Sequence, residues 1–262
     1  MSRPRRPHRR RPRARRLRSR PARDGWSLEG LVSELLGRLD ALLPPLPGDP
    51  PLGRLYRIVD AWAAERDAMW RRRSADAGLP IAPEPACATG CAHCCYQHVA
   101  VTGLEALTLA DYVRGRWSAE EVAALRARLE GESARFRQIA DDPKALARVR
   151  RPCPLLDEAG GRCRAYEARP VNCRRENSTD VEICRRYRAD PEVEDSSLRL
   201  VRYDVIWGAA RVALSRWTAG HLDPGSMMPL DVALASALGG VDAPAGRIRG
   251  DGGGSTDCDV ES

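Results

Sequence analysis

Four cysteines fall within nine residues in the stretch CATGCAHCC: Cys87, Cys91, Cys94 and Cys95. Two or three intervening residues let a turn return a second thiolate to the same ion, and Gly90 relieves the backbone inside that turn. Four more follow at Cys153, Cys163, Cys173 and Cys184, separated by nine, nine and ten residues. Those gaps are too long for one knuckle, so the later cysteines act as separate arms closing on a site. Zinc and iron–sulfur clusters both accept thiolates. The eight thiols make two four-ligand sites, or one such site with four accessory cysteines, and spacing alone leaves both open. Adjacent side chains diverge from an extended backbone, so Cys94 and Cys95 are expected to face different partners. His93 and His98 are alternative donors. Apolar packing also buries cysteine, but it does not call for four in nine residues on a glycine-containing loop. A dithiol relay lacks its usual context of a strand followed by a helix.

The elements that must position these residues read as helices. Ser27 caps a helix over residues 28–43, with Trp26 and Leu31 spaced as a hydrophobic staple. A second helix runs from about Leu52 to Arg73, striped by Leu52, Leu55, Val59, Trp62 and Met69. SADAGLPIAPEPA is an irregular approach to Cys87, and QHVAV is short and extended. Thr102 with Glu105, and Ser118 with Glu121, are capping boxes for helices ending near Trp117 and residue 138. Residues 143–150 add a short helical segment. From Pro152 to about Glu194 the chain is rich in turns, charge and cysteine, with weak periodicity. A helix over about 198–218 carries Leu198, Val201, Val205, Val212 and Leu214, and a shorter one covers roughly 229–239. The expected fold is mostly α, a helical scaffold around an irregular cysteine-rich metal-binding region. Residues 1–25 read as a disordered Arg-rich tail, 26–243 as one domain, and 244–262 as a second tail containing Cys258.

Charge is uneven. Residues 1–23 hold twelve arginines and no acid; without them 31 basic residues face 36 acidic ones, a net charge of −5. A basic footprint is therefore confined to the tail, where weak nonspecific contact with nucleic acid is the most it supports. No apolar run suits a signal peptide or a membrane span, so membrane insertion is not expected and a cytoplasmic protein is. Thiols stay reduced in that compartment, which favours metal over disulfides. No strand-anchored phosphate loop, H-E-x-x-H helix or Ser-His-Asp set is present. The DGGGST run follows no strand.

The non-cysteine residues complete a wider pattern. CATGCAHCC is followed by CPLL at Cys153 and by C-x2-Y-x2-R-P-x2-C-R at Cys163, Tyr166, Arg169, Pro170, Cys173 and Arg174. Over about residues 85–190 this resembles the YkgJ-type cysteine-cluster family, a bacterial group described as zinc- or iron-chelating. The resemblance implies a metal centre assembled from both halves, with all eight cysteines as ligands. Tyr166, Arg169 and Arg174 stand around it. Tyr166 is expected to pack by the cluster or simply in the core, and Arg169 to offset thiolate charge or form a surface ion pair. Pro170 sets the turn returning Cys173. Flagellin lysine N-methylases lie in the same broad group, which implies an iron–sulfur centre and S-adenosylmethionine as one further reading. The expected cofactor is an iron–sulfur cluster of the 4Fe–4S kind, with zinc as the alternative in a structural or trafficking role. The partner or substrate protein and the reaction stay open.

Overall fold

The structure is a computed structural model that describes residues 26–43, 52–80, 83–88, 90–139, 141–190, 199–223, 227–239 and 247–248. The Arg-rich tail and Cys258 lie outside the described residues. Helices dominate, and the strands are two-residue pairs.

The first two helices are α1 (Leu28–Leu42) and α2 (Leu52–Asp76). Ser27 caps α1 by accepting the Gly30 N–H at 3.0 Å. Leu31, Val32, Leu35 and Leu39 repeat on one face of α1 and are fully buried. That face packs on α8 (Val201–His221). Each such leucine contributes roughly 1.5–3 kcal/mol when removed from water. On α2 the stripe continues through Leu55, Val59 and Trp62, all with no exposed surface, while Met69 is half-buried. Trp26 meets Trp70 edge-on at 5.3 Å, which fixes the entry of α1 against α2.

Helix α3 (Gly103–Arg116) starts at the expected box: Thr102 Oγ1 accepts the Glu105 N–H and Glu105 Oε2 accepts the Thr102 N–H. Helix α4 (Ala119–Ile139) starts at the second, Ser118 with Glu121. A short α5 (Pro143–Arg148) is capped by Asp142, and α9 (Leu230–Ala237) packs on both α3 and α4. The extended QHVAV stretch becomes β1 (Ala100–Val101), paired antiparallel with β5 (Met228–Pro229). The cysteine-rich region adds the hairpin β2 (Leu156–Asp157) and β3 (Arg162–Cys163), then α6 (Val171–Arg175) and α7 (Val181–Ala189). A further pair joins β4 (Leu222–Asp223) to β6 (Arg247–Ile248).

Two expectations change. The region after Pro152 contains two helices that weak periodicity concealed. In α8, Val201 is 67% exposed, and the buried face is Ile206, Ala209, Ala210, Ala213, Leu214 and Trp217. Small alanines on that face let α1 approach closely, a packing requirement that side-chain hydrophobicity does not reveal. Among the described residues no helix is long and apolar enough to cross a membrane.

Candidate metal centre

The approach to Cys87 is irregular but fastened. Arg202, in the first turn of α8 and only 2% exposed, donates to the Pro83 carbonyl at 3.1 Å and pairs with Asp67 at 2.9 Å and Glu84 at 3.3 Å. Arg71 of α2 also pairs with Glu84. The Ala86 N–H then donates to the Ser178 carbonyl at 2.8 Å, tying the chain beside Cys87 to the loop before α7. The Cys91 N–H closes a turn onto the Ala88 carbonyl at 2.9 Å, and Gly90 takes φ +91°, a conformation costly for any other residue. Residues His93–Tyr96 form a 3-10 helix. The cysteine pair therefore does not sit on extended backbone. Successive side chains of a 3-10 helix separate by about 120°, and the Cys94 thiol stays within hydrogen-bonding reach of Cys95.

The second half of the motif is laid against this helix. The Cys153 N–H donates to the Cys95 carbonyl at 2.8 Å, and the Arg151 N–H to that of Tyr96 at 3.2 Å. The β2–β3 hairpin pairs Leu156 with Cys163. Its turn residue Gly161, at φ +62°, sits so close to the first loop that a Cβ there would lie 2.8 Å from the Gly90 carbonyl oxygen. Two glycines thus form the joint between the sequence halves. Past the hairpin, Pro170 precedes α6, and α6 is held to the scaffold at two points. Glu105 Oε1 accepts the Val171 N–H at 2.7 Å, and Asn172 donates to the Ala100 carbonyl at 2.6 Å.

The eight described cysteines are free thiols. Cys87, Cys91, Cys94 and Cys184 line one cavity of about 40 Å³, together with His93 and Glu176. Cys184 arrives there because α7 packs on the 3-10 helix. Cys153, Cys163 and Cys173 interact with one another in a second group. Cys94 interacts with Cys87 and Cys184 on one side and with Cys163 and Cys173 on the other. Cys94 is therefore the electrostatic link between the two groups. Among the described residues no three donors already converge on one point as ligands of a single ion.

Burial raises the pKa of Cys153, Cys163 and Cys173. It pushes Cys153 up to about 12 and Cys173 well above the ordinary thiol range, with neighbouring thiols adding to both. Cys94 is raised first by its contact with Cys95 and then by burial. Burial also raises Cys87 and Cys184, opposed by the Ser178 backbone N–H at the first and the Ser178 hydroxyl at the second. Crowded, partly buried thiols disfavour thiolate charge until a cation neutralises it, which is the electrostatic setting of a thiolate metal site. The all-sulfur donor set fits zinc, copper(I) or an iron–sulfur cluster.

The supporting residues divide. Arg169 lies near Cys163 and Cys173, where its charge favours both thiolates. Its guanidinium covers the Tyr166 ring at 3.9 Å, and Tyr166 is 55% exposed. Arg174 points to the scaffold instead, pairing with both oxygens of Asp60 at 2.6 and 2.7 Å and lying over the Tyr56 ring. His93 shares the cysteine cavity; its Nδ1 is buried without a hydrogen-bond partner, and burial lowers its pKa. His98 lines a different cavity. Sequence reasoning missed Ser178, whose signal was only a polar Asn-Ser-Thr run, and the second role of Glu105, which local spacing cannot show.

Residues 86–194 match the model of the CxxCxxCC family, described as "Putative zinc- or iron-chelating domain". This is the cysteine-cluster family to which the motif resemblance points. No curated protein and no solved structure matches the chain.

Proposed function

Taking residues 86–194 as a zinc- or iron-chelating segment, we propose that the eight cysteines hold iron–sulfur chemistry in two joined thiolate groups. Cys87, Cys91, Cys94 and Cys184 form the first. Cys153, Cys163 and Cys173 form the second, with Cys95 as the neighbouring fourth donor. Residues 26–243 act as one domain around this centre. The observation that carries the reading is that cysteines from opposite ends of the motif, Cys87 and Cys184, line the same cavity as Cys91 and Cys94. All eight donors are sulfur, the set from which four-cysteine clusters are built. When bound, the metal supplies either one-electron chemistry or a fixed cross-link. The protein residues hold the thiolates, limit water and balance charge through Arg169 and Ser178. The proposal stops at metal binding, with no S-adenosylmethionine-dependent step.

A second reading has its own support. A cavity of about 40 Å³ suits single ions better than a cluster unless the thiols move apart. Two zinc ions in a structural or trafficking role would need four thiols drawn in around each ion, a smaller rearrangement than opening space for a cluster. Anaerobic purification followed by metal, acid-labile sulfide and absorption measurements separates the two. Iron, sulfide and broad visible absorption support the cluster; colourless protein with zinc overturns it. Cys94→Ser and Cys95→Ser, made separately, are each expected to lower metal content. Loss at Cys94 should affect both groups because its thiol is electrostatically coupled to both. Full metal retention in Cys95→Ser would remove that residue from the ligand set.

A further inference from the structure

A second cavity, of about 380 Å³, lies beside the cysteine-lined one and shares Gln97 and Tyr187 with it. Its volume falls in the range of roughly 300–1,000 Å³ found for small-molecule sites. One wall is α5, through Pro143, Leu146 and Ala147; the others carry His98, Tyr187 and Arg150. The apolar wall and Arg150 define a class of ligand.

Arg150 is the unusual group. Its Nε donates to the Tyr187 carbonyl at 3.3 Å, and its Nη1 donates to the carbonyls of Ala147 at 2.7 Å and Val149 at 2.9 Å. Its plane lies over the Tyr187 ring at 4.5 Å. Three carbonyls and a ring hold the guanidinium in place, but none neutralises it. Nη2 is buried and has no hydrogen-bond partner among the described residues. The adjacent residue provides a contrast: Arg151 meets Asp231 and, at 3.4 Å, Glu132. Arg150 has no carboxylate within ion-pair distance among the described residues. A guanidinium held by carbonyls and a ring, with no carboxylate offsetting its charge among the described residues, gives the wall of an open cavity a positive charge that favours an anion.

His98 stands on another wall of the cavity. Its Nδ1 is buried without a partner while its ring rests 5.8 Å from that of Phe136. The remaining wall is apolar, so a compact polyanion would leave most of its oxygens unsatisfied. A monoanion with a hydrocarbon body satisfies both features.

We infer that this cavity binds a small organic carboxylate, its charged end on Arg150 and its apolar body against Pro143 and Leu146. Because the cavity shares Gln97 and Tyr187 with the cysteine-lined one, the ligand lies next to the metal centre. The site does not depend on which metal is bound there. Benzoate is a suitable probe, titrated by calorimetry into the metal-loaded full chain, with neutral benzamide and inorganic phosphate titrated in parallel. Benzoate should bind saturably, and both comparison compounds should bind at least tenfold more weakly. Arg150→Gln should weaken benzoate at least tenfold. Ala147→Trp, which fills the cavity and leaves Arg150 in place, should do the same. Metal content and melting temperature of each variant show separately whether the centre and fold are intact. If Arg150→Gln does not fold, the parent titrations and Ala147→Trp decide. No saturable benzoate binding, equal binding of benzamide, tighter binding of phosphate, or unchanged affinity in a folded variant overturns the inference.

Discussion

A cysteine pair separated by nothing, and two glycines separated by seventy residues of chain, set the local geometry of the centre. Cys94 and Cys95 share one turn of 3-10 helix, and Cys94 is electrostatically coupled to thiols of both groups, so it links the two halves rather than merely extending one knuckle. Gly161 holds the other half of the motif at contact distance from Gly90. Any side chain at Gly161 meets a backbone oxygen, and its φ of +62° adds about 1–2 kcal/mol for a non-glycine residue. Gly161→Ala is therefore expected to lower the melting temperature and speed metal loss to a chelator. Gly131 provides the opposite case. It lies inside α4 with open space where a Cβ would stand, so Gly131→Ala should raise stability by up to about 1 kcal/mol. Thermal melts of the two variants beside the parent check both signs.

Between the elements, one buried carboxylate links the scaffold to the motif. Glu105 is 2% exposed and accepts from Thr102 with one oxygen and from the Val171 N–H with the other. Its charge is held against burial, which raises its pKa, by those hydrogen bonds. The capping box predicted from Thr102 and Glu105 is present, and the same side chain also fixes the start of α6 two residues before Cys173. Replacing one oxygen by an amide NH2 leaves a donor facing a donor. Glu105→Gln should cost about 1–3 kcal/mol, the penalty for an unsatisfied buried group. Denaturant melts measure the loss, and metal titration shows whether it reaches the centre. Arg174 adds a second tie by pairing with Asp60 of α2.

Across the whole molecule, the helical core and the metal region draw on different sources of stability. Helices α1, α2 and α8 bury a continuous set of leucines, alanines and Trp62. The cysteine region contributes only a few residues to that core, among them Leu155, Ala165, Ala168 and Val171. Removing the metal should therefore open the motif before the scaffold. Hydrogen exchange after chelation is expected to lose protection over residues 90–97, 151–163 and 171–189 while α1 and α8 keep theirs. Uniform loss across both regions would show that the metal supports the entire fold. The cavity beneath α5 belongs to this scale as well, since residues from three parts of the chain line it.

Capping signals and apolar stripes by themselves determined α1 to α4, because Ser27, Thr102, Ser118 and the Leu55–Val59–Trp62 stripe act within a few residues of where they stand. The cysteine spacings determined that a thiolate metal site was the chemistry to expect. Tertiary structure alone decided how the thiols group, why Val201 faces outward, and that Glu105 and Ser178 support the centre. It also placed Arg174 on Asp60, and Arg150 in a cavity with no carboxylate partner among the described residues. The division follows range: capping and periodicity are short-range effects written along the chain. Which thiols share a cavity, and which arginine lacks a counter-ion, depend on segments brought together from tens of residues apart.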